Sequence, residues 1–441
     1  MAGGKSMSTA EPAERVPPTP MEREPRVDLG TRLIPKERYF DPEFARLEWE
    51  RMWTRVWLLA GLECDIPEPG DYLTFEIGRE SIFIIRQKSG EISARFNVCT
   101  HRGNRLRKPG MGHATSFYCT YHGWRFGIDG ALEDVQDPET FPQGCPAEAL
   151  SLGSVRCETW GGFVWVNLDP DAEPLRDYLG MIPAHLDPYH FEQMKVLDPL
   201  TVDVPCNWKS SIDAFNEPYH MAATHPDTLP FSDDVNVPID CYDRHTRMIM
   251  PLGIASPRDP GFGTVNEALR ENFLRRFGVD PDHFEGGAED VRPAIAKSVR
   301  ENFAPGLGAD FSELRDEQLV DDYHYTIFPN ITLNIFGMNA WLFRHRPHPT
   351  DPDRMFFDFY DLLRSPGREV ARPEHRTVVL SNDLEIKLVG GGEGLLAQDW
   401  NNLPRVQQGM HSEGFRGLHL GEQEVRIRHF HSILEQYIGP E

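Results

Sequence analysis

The sequence is short of cysteine, of positive charge and of long apolar runs, and each shortage removes a class of protein. Seven Cys in 441 residues is a sparse and odd set, which excludes a disulfide framework and fits a reducing compartment. Lys and Arg number 45 against 69 Asp and Glu, a formal charge of −24. Such a surface repels phosphate backbones, so nucleic acid is not an expected partner. No apolar run approaches the roughly 20 residues of a membrane span, and the N-terminus has no apolar stretch of the signal-peptide kind. A cytoplasmic chain without membrane contact is therefore expected. What is present is 39% hydrophobic residues over a length that favours two domains with sizeable cores.

The texture changes along the chain. Residues 1–30 are rich in Pro, Glu and Ala with little to bury, the composition of a disordered tail. Over 31–62 a helical segment is expected, because Asp41 is a capping residue and Phe44, Leu47, Met52 and Val56 follow near helical spacing. Residues 63–168 alternate, with β-branched and aromatic residues between Gly turns, and read as a small all-β domain. Residues 169–441 form the second domain. It opens with a helical stretch from Trp208 to His225 and carries a charged helical insertion over 255–320. "HYTIFPNITLNIFGMNAWLFRHRP" and "RMFFDFYDLLR" read as long strands of a curved antiparallel sheet. Two C-terminal helical regions follow, one over 380–410 and one over 421–438. The latter sets Val425, Phe430, Ile433, Leu434 and Tyr437 on one stripe. The class is α+β.

Against the scarcity of Cys, "CTHRGNRLRKPGMGHATSFYCTYHGW" (99–124) holds two Cys and three His. One residue separates Cys99 from His101 and two separate Cys119 from His122, with 17 residues between the pairs. Thiolate and imidazole donors suit zinc or iron–sulfur chemistry. Zinc sites usually pair two Cys in one loop and two His in the other. One of each per loop matches the Rieske [2Fe–2S] centre. Gly103, Gly110, Gly112 and Gly123 permit tight loops around it. His113, between the loops, reads as a surface histidine.

A one-electron centre needs a second site to make a product. "SIDAFNEPYHMAATHP" (211–226) offers Asp213, Glu217, His220 and His225. On a helix Asp213, Glu217 and His220 share a face. His225 would point about 140° away from His220 on an ideal helix, so the two imidazoles converge only across a break, for which Pro218 and Pro226 provide. A carboxylate would complete a 2-His-1-carboxylate iron site. The best candidate is Asp399 in "GLLAQDWNNLPRVQQG". No dinucleotide motif is convincing, "GGGEG" at 390–394 lacking the strand-to-helix setting.

Together, "CTHRGNRL…YCTYHGWRFGIDG" and the second constellation resemble the catalytic α subunit of Rieske non-haem iron oxygenases, over residues 40 to 440. The resemblance implies a Rieske domain followed by a helix-grip (START-like) catalytic domain. It implies Cys99 and Cys119 on one cluster iron, His101 and His122 on the other, and His220, His225 and Asp399 on a mononuclear Fe(II). Many members have Asp three residues before the first His, as a bridge to a neighbouring subunit's Rieske His. Here that residue is Glu217, similar to members acting on quaternary amines such as carnitine. Glu217 either only bridges or also touches iron. Asp213 either supports the bridge or is a solvated helix-face acid.

The implied activity is O2-dependent hydroxylation, single or double, or oxidative dealkylation, of a small organic substrate, aromatic by first preference. A quaternary-amine monooxygenase is the alternative, and a non-catalytic Rieske electron carrier the second alternative. The implied partners are a separate NAD(P)H-dependent reductase, with or without a ferredoxin, and further copies in a homotrimer, with or without a β subunit. Candidate pocket residues are Phe215, Met221 and Phe231 near the second motif, and Phe328, Asn330, Leu333, Asn334, Phe336, Met338 and Trp341 from the expected strands.

Overall fold

The computed structural model describes residues 22–380 and 392–439. The first unit is built from β1 (Leu58–Leu62), β2 (Asp71–Ile77), β3 (Glu80–Arg86), β4 (Ile92–Phe96), β5 (Met111–His113), β6 (Ser116–Tyr118), β7 (Arg125–Gly127), β8 (Leu132–Asp134), β9 (Ser154–Trp160) and β10 (Phe163–Asn167). Seven strands pair in the order β1-β10-β9-β4-β3-β2-β5, and β6-β7-β8 form a second sheet. The continuous apolar run of β3 has a structural reason. Ile82 and Ile84 face the main core, while Phe83 and Ile85 face a smaller core with Phe117, Trp124, Cys99 and Cys119. Both faces of the strand are covered, so both must be apolar.

The second unit is one curled sheet of β11 (Met194–Val204), β12 (Ile239–Cys241), β13 (Thr246–Met250), β14 (Asp322–Ile327), β15 (Ile331–Phe336), β16 (Asn339–Pro347), β17 (Met355–Arg364) and β18 (Arg376–Val379). Their order is β12-β13-β14-β15-β16-β17-β11-β18, antiparallel throughout except for the β11–β18 pair. A helical insertion that includes Ala288–Ser298 and Asp316–Val320 separates β13 from β14. Helices Trp208–Ala214, Gly392–Met410 and Val425–Ile438 complete the unit. No helix among the described residues is long and apolar enough to cross a membrane.

Three expectations change. The segment 31–62 is helical only to Trp53; Leu58–Leu62 is a fully buried strand paired with β10. Of the tail, 1–21 lies outside the described residues. Residues 22–30 lack regular structure, yet Arg23 Nε and the Glu24 amide both donate to Asp240 Oδ1, at 2.8 and 2.9 Å. The 208–225 stretch is not one helix. Asn207 caps its start, but the first helix ends at Ala214 and only a short turn, Met221–Thr224, follows. Pro218 has no N–H to donate to the carbonyl one turn earlier, so the ladder cannot continue through it. Of the 380–410 region, 381–391 lies outside the described residues, and the helix runs Gly392–Met410.

Alternation in β16 divides the sheet into two working faces. Phe343 and His345 point towards the Trp208–Ala214 helix, where Phe343 meets Phe215 (ring centroids 4.9 Å) and His345 Nδ1 meets Ser211 Oγ (3.0 Å). Arg344 and Arg346 point the other way, to the Rieske unit. Arg344 Nη1 donates to the carbonyls of Leu59 (2.9 Å) and Ala60 (3.1 Å), and Arg346 Nη1 to that of Glu76 (3.3 Å). Both arginines converge on buried Asp358, with Nε to Oδ2 distances of 2.7 and 2.6 Å, and Thr201 Oγ1 donates to Oδ1 at 2.6 Å. Burial pushes the Asp358 carboxyl up, but the two guanidinium groups outweigh it and hold it well below the usual carboxylate range.

Removing this carboxylate leaves two guanidinium groups unpaired in the domain junction. Asp358→Ala is expected to destabilise the protein by about 3–5 kcal/mol in urea unfolding. Because the folded-state value is depressed, the stabilisation is present above about pH 4 and is lost as pH falls further towards the folded value. A loss below about 1 kcal/mol, the range of an exposed pair, would show that Asp358 does not hold the junction.

Candidate active site

The four Rieske-type donors sit on two loops of matched build. The first follows β4 and the second joins β6 to β7. In the first, the Cys99 amide donates to the Asn104 carbonyl (2.8 Å) and the Gly103 amide to the Cys99 carbonyl (3.0 Å). In the second, the Cys119 amide donates to the Trp124 carbonyl (2.8 Å) and the Gly123 amide to the Cys119 carbonyl (2.9 Å). Gly103 and Gly123 adopt φ of +76° and +74°, the left-handed region in which a Cβ is strained, so the loops need glycine there.

The loops bring like donors together. The Cys99 and Cys119 thiols lie within hydrogen-bonding reach of each other, and the His101 and His122 rings are 4.6 Å apart. Backbone amides of His101 and Arg102 point at Cys99, and those of Tyr121 and His122 at Cys119, where Asn104 Nδ2 also approaches Sγ at 3.7 Å. Such donors favour thiolate over thiol. His101 stacks on Trp124 (4.7 Å, 6°), and its buried Nδ1 has no hydrogen-bond partner. Two thiols on one side and two imidazoles on the other fit a two-metal cluster with unlike ends. His113 stands apart, exposed at the end of β5 with Nδ1 2.9 Å from Asp71 Oδ1.

In the second unit, His220, His225 and Asp399 offer donor atoms within 4.8 Å of one another, the only such trio among the described residues. Asp399 Oδ1 lies 3.1 Å from His225 Nε2 and 3.7 Å from His220 Nε2. Each imidazole is tied back through Nδ1, His220 to Glu217 Oε1 (2.7 Å) and His225 to Gln398 Oε1 (2.6 Å). Glu217 Oε2 also accepts the His220 amide (2.9 Å). Nδ1–H donation leaves Nε2 as the lone-pair nitrogen, facing the carboxylate. That is the arrangement by which second partners orient metal-binding histidines, and it fits one divalent ion with open positions.

The break after Ala214 and the turn at Met221–Thr224 aim the two imidazoles, while the Gly392–Met410 helix brings Asp399 from the far end of the chain. Asp213 is not on a helix face shared with Glu217 and His220, because the helix has ended. Nor is it solvated: it is buried, and its Oδ2 accepts from Tyr39 Oη (2.5 Å), which also contacts His431 Nε2 (2.8 Å).

Pocket candidates split by strand parity. Asn334, Phe336 and Trp341 share the face that carries Phe343. Leu333 pairs with Leu342 on the opposite face. Phe328 packs in the core against Phe430 and Tyr437. Residues the sequence reading missed are Gln398, Tyr39, His431 and, on the last helix, Arg426. Arg426 did leave a signal, a charge one turn before Phe430 on an otherwise apolar stripe.

Fold and site together define a Rieske-domain protein with a separate His/His/carboxylate centre. The family model for the ring hydroxylating alpha subunit (catalytic domain) matches residues 191–439, more than half of the chain, and that for the Rieske [2Fe-2S] domain matches 56–146. The chain belongs to the ring-hydroxylating alpha subunit family. It is 30% identical over 208 residues to a glycine betaine monooxygenase oxygenase subunit of Pseudomonas aeruginosa (46% of this chain, 48% of that one). It is 34% identical over 201 residues to the large oxygenase component of a naphthalene 1,2-dioxygenase system of Pseudomonas putida (44% and 45%). The chain spans about half the length of these curated relatives. A solved quaternary ammonium Rieske monooxygenase, described for carnitine oxidation, shares the fold with a TM-score of 0.66 at 19% identity, over 92% of this chain and 95% of that one.

The Gln398–His225 bond makes a direct expectation. Gln398→Leu should weaken retention of Fe(II) or Co(II) by about 10–100-fold while the Rieske visible spectrum is kept. Metal analysis after dialysis measures this, and unchanged retention would remove Gln398 from the site.

Proposed function

We propose that this chain is an oxygenase component that inserts oxygen from O2 into a small organic substrate. Cys99 and Cys119 hold one iron of a Rieske cluster, His101 and His122 the other, and His220, His225 and Asp399 hold a mononuclear Fe(II). The observation that carries the reading is the convergence of those last three residues, with each imidazole locked by a separate Nδ1 acceptor. When bound, the cluster supplies electrons singly and the Fe(II) activates O2 beside the substrate.

The protein's own groups set the conditions. Glu217 and Gln398 fix the tautomer and orientation of the two imidazoles. Glu217 is only 8% exposed, and its carboxylate keeps lone pairs beyond the two bonds to His220. It can therefore accept a hydrogen bond from His101 or His122 of a neighbouring copy in a trimer. Phe215, Phe343, Phe357 and Trp400 pack in series between the sheet and the two helices that carry the site, and keep water from that side. An NAD(P)H-dependent reductase, directly or through a ferredoxin, completes the electron supply in the cytoplasm.

An aromatic substrate is the first reading, supported by the relatives named for naphthalene. One observation favours a quaternary amine. Trp341 meets Phe336 (5.1 Å) and Phe359 (6.1 Å), and Asp361 stands opposite Trp341 on the same face. Three rings beside a carboxylate are the makings of a cation cage.

Iron analysis of the purified protein is expected to give about three irons per chain, two of them in the Rieske cluster; two would leave the chain an electron carrier. Cys119→Ala should abolish the Rieske spectrum. Asp399→Ala should keep that spectrum and lose about one iron. Glu217→Gln should load both centres yet slow single-turnover oxidation of the cluster, and normal rates in that variant would rule out the Glu217 route between subunits.

A further inference from the structure

The last helix puts a guanidinium on its buried stripe. Arg426 is 0% exposed. Its Nε donates to Thr246 Oγ1 (2.9 Å), and its Nη2 to Thr326 Oγ1 (2.6 Å) and His324 Nδ1 (3.0 Å). Its Nη1 is buried without a hydrogen-bond partner. Among the described residues no carboxylate lies within ion-pair distance of it. Glu217 and Asp322 are near enough to be felt, but the hydrogen bonds of Glu217 within the chain go to His220 and none reaches Arg426. Asp322 is pushed up to about 8 by burial, so it is largely uncharged at neutral pH. A buried cation without an anion is the costly state that proteins avoid unless something else supplies the charge.

The neighbours share the same deficit, and in the same sense. Because Arg426 donates to His324 Nδ1, the ring proton of His324 sits on Nε2, and that Nε2 is also buried and unpartnered. Burial and then Arg426 keep the imidazole neutral. Thr326 Oγ1, already an acceptor from Arg426, donates to Asn216 Oδ1 (2.5 Å), which leaves Asn216 Nδ2 as a further unpartnered buried donor. Asn334, directly across from His324 in the β14–β15 ladder, has a buried unpartnered Nδ2 as well. Apart from Asp322 Oδ1, which is also buried and unpartnered, the vacancies in this cluster are donors. The strand register puts His324, Thr326 and Asn334 on the face shared with Phe343 and Trp341, and Asn216 adjoins Glu217, the partner of His220. An apolar substrate could satisfy none of these donors; an oxyanion satisfies several at once.

We propose that Arg426 Nη1, His324 Nε2 and Asn216 Nδ2 form a carboxylate-binding subsite, so that the molecule oxygenated beside His220 carries a carboxylate, either as an aromatic acid or as a zwitterion. The subsite rests on the oxygenase reading for its substrate, but its binding chemistry is testable without turnover. The carboxylate oxygens take hydrogen bonds from the three donors and supply the anion that Arg426 lacks; the rest of the molecule extends along the sheet face towards Trp341.

The test titrates the iron-loaded, anaerobic protein by calorimetry with three carboxylates and their isosteric amides: acetate and acetamide, benzoate and benzamide, glycine betaine and its amide. At least one carboxylate is expected to bind about tenfold or more tighter than its amide. Arg426→Gln is expected to erase that preference, with the Rieske spectrum and melting temperature reporting that the fold survives. Should that variant not fold, His324→Gln, which offers an amide donor, should retain the preference and His324→Leu should reduce it. Equal affinity of acid and amide in all three pairs, or no binding by any carboxylate, overturns the subsite. So does a preference that survives Arg426→Gln. Failure of the oxygenase reading would instead appear as a missing third iron with the carboxylate preference intact.

Discussion

Side-chain alternation in a single curled sheet is the constraint on which the rest of this structure depends. Along β16 and β17, successive residues serve different purposes. Arg344, Arg346 and Asp358 fasten the Rieske unit to the sheet through backbone carbonyls of β1 and β2. Phe343, His345 and Phe357, their immediate neighbours in sequence, support the helices that carry the metal-type ligands. A slip of one residue in the β16–β17 register would exchange the two faces. It would bury guanidinium groups beneath the helices that carry Asp213 and Asp399 and present rings to the Rieske unit. The buried ion cluster at Asp358 opposes that slip, since it is satisfied in one register only.

The two centres are built by opposite strategies. The Cys99/His101 and Cys119/His122 pairs come from loops close in sequence, each closed on a glycine in the left-handed region, so local backbone geometry does most of the positioning. His220, His225 and Asp399 come from segments more than 170 residues apart. They meet because a helix is stopped at Ala214 and another is laid beside it. Packing pins that meeting: Trp400, adjacent to Asp399, sits against Phe357 at 5.4 Å, and Phe215 sits against Phe343 and Phe357. The aromatic layer thus both excludes water and sets the distance between carboxylate and imidazoles.

On the same face, polar groups concentrate on the strands nearest the last helix, where Arg426, His324, Thr326 and Asn216 form one connected network. The N-terminal segment closes the outer side of this helix, with Arg38 beside His431 (3.2 Å) and Tyr39 tying His431 to Asp213. Arg38 and Tyr39 thus pack against the last helix, and the helix in turn holds the polar end of the sheet face that carries Phe343.

Much of this was legible in residues taken alone. The Cys-x-His and Cys-x-x-His pairs announced a mixed-ligand cluster because chelation by a short loop needs only local spacing. Pro218 and Pro226 announced that no single helix could run through the motif, because a missing N–H acts within one turn; the break expected between His220 and His225 falls instead between Ala214 and His220, and the turn Met221–Thr224 ends at His225. Period-two texture placed the long strands, and the stripe on the last helix placed its buried face. The sequence could not say that Asp213 is buried beneath Tyr39, that Leu333 turns away from the face that holds Trp341, or that Gln398 orients His225. Nor could it say that Arg426 lies among unpaired donors. Those facts depend on strand register and on which helix lies across which strand, contacts between residues tens to hundreds of positions apart. Sequence by itself determined the donors, the breaks and the periodicities, each decided within a turn or a loop; tertiary structure alone decided which buried polar groups find partners, because that balance is struck only when distant elements close over the same sheet face.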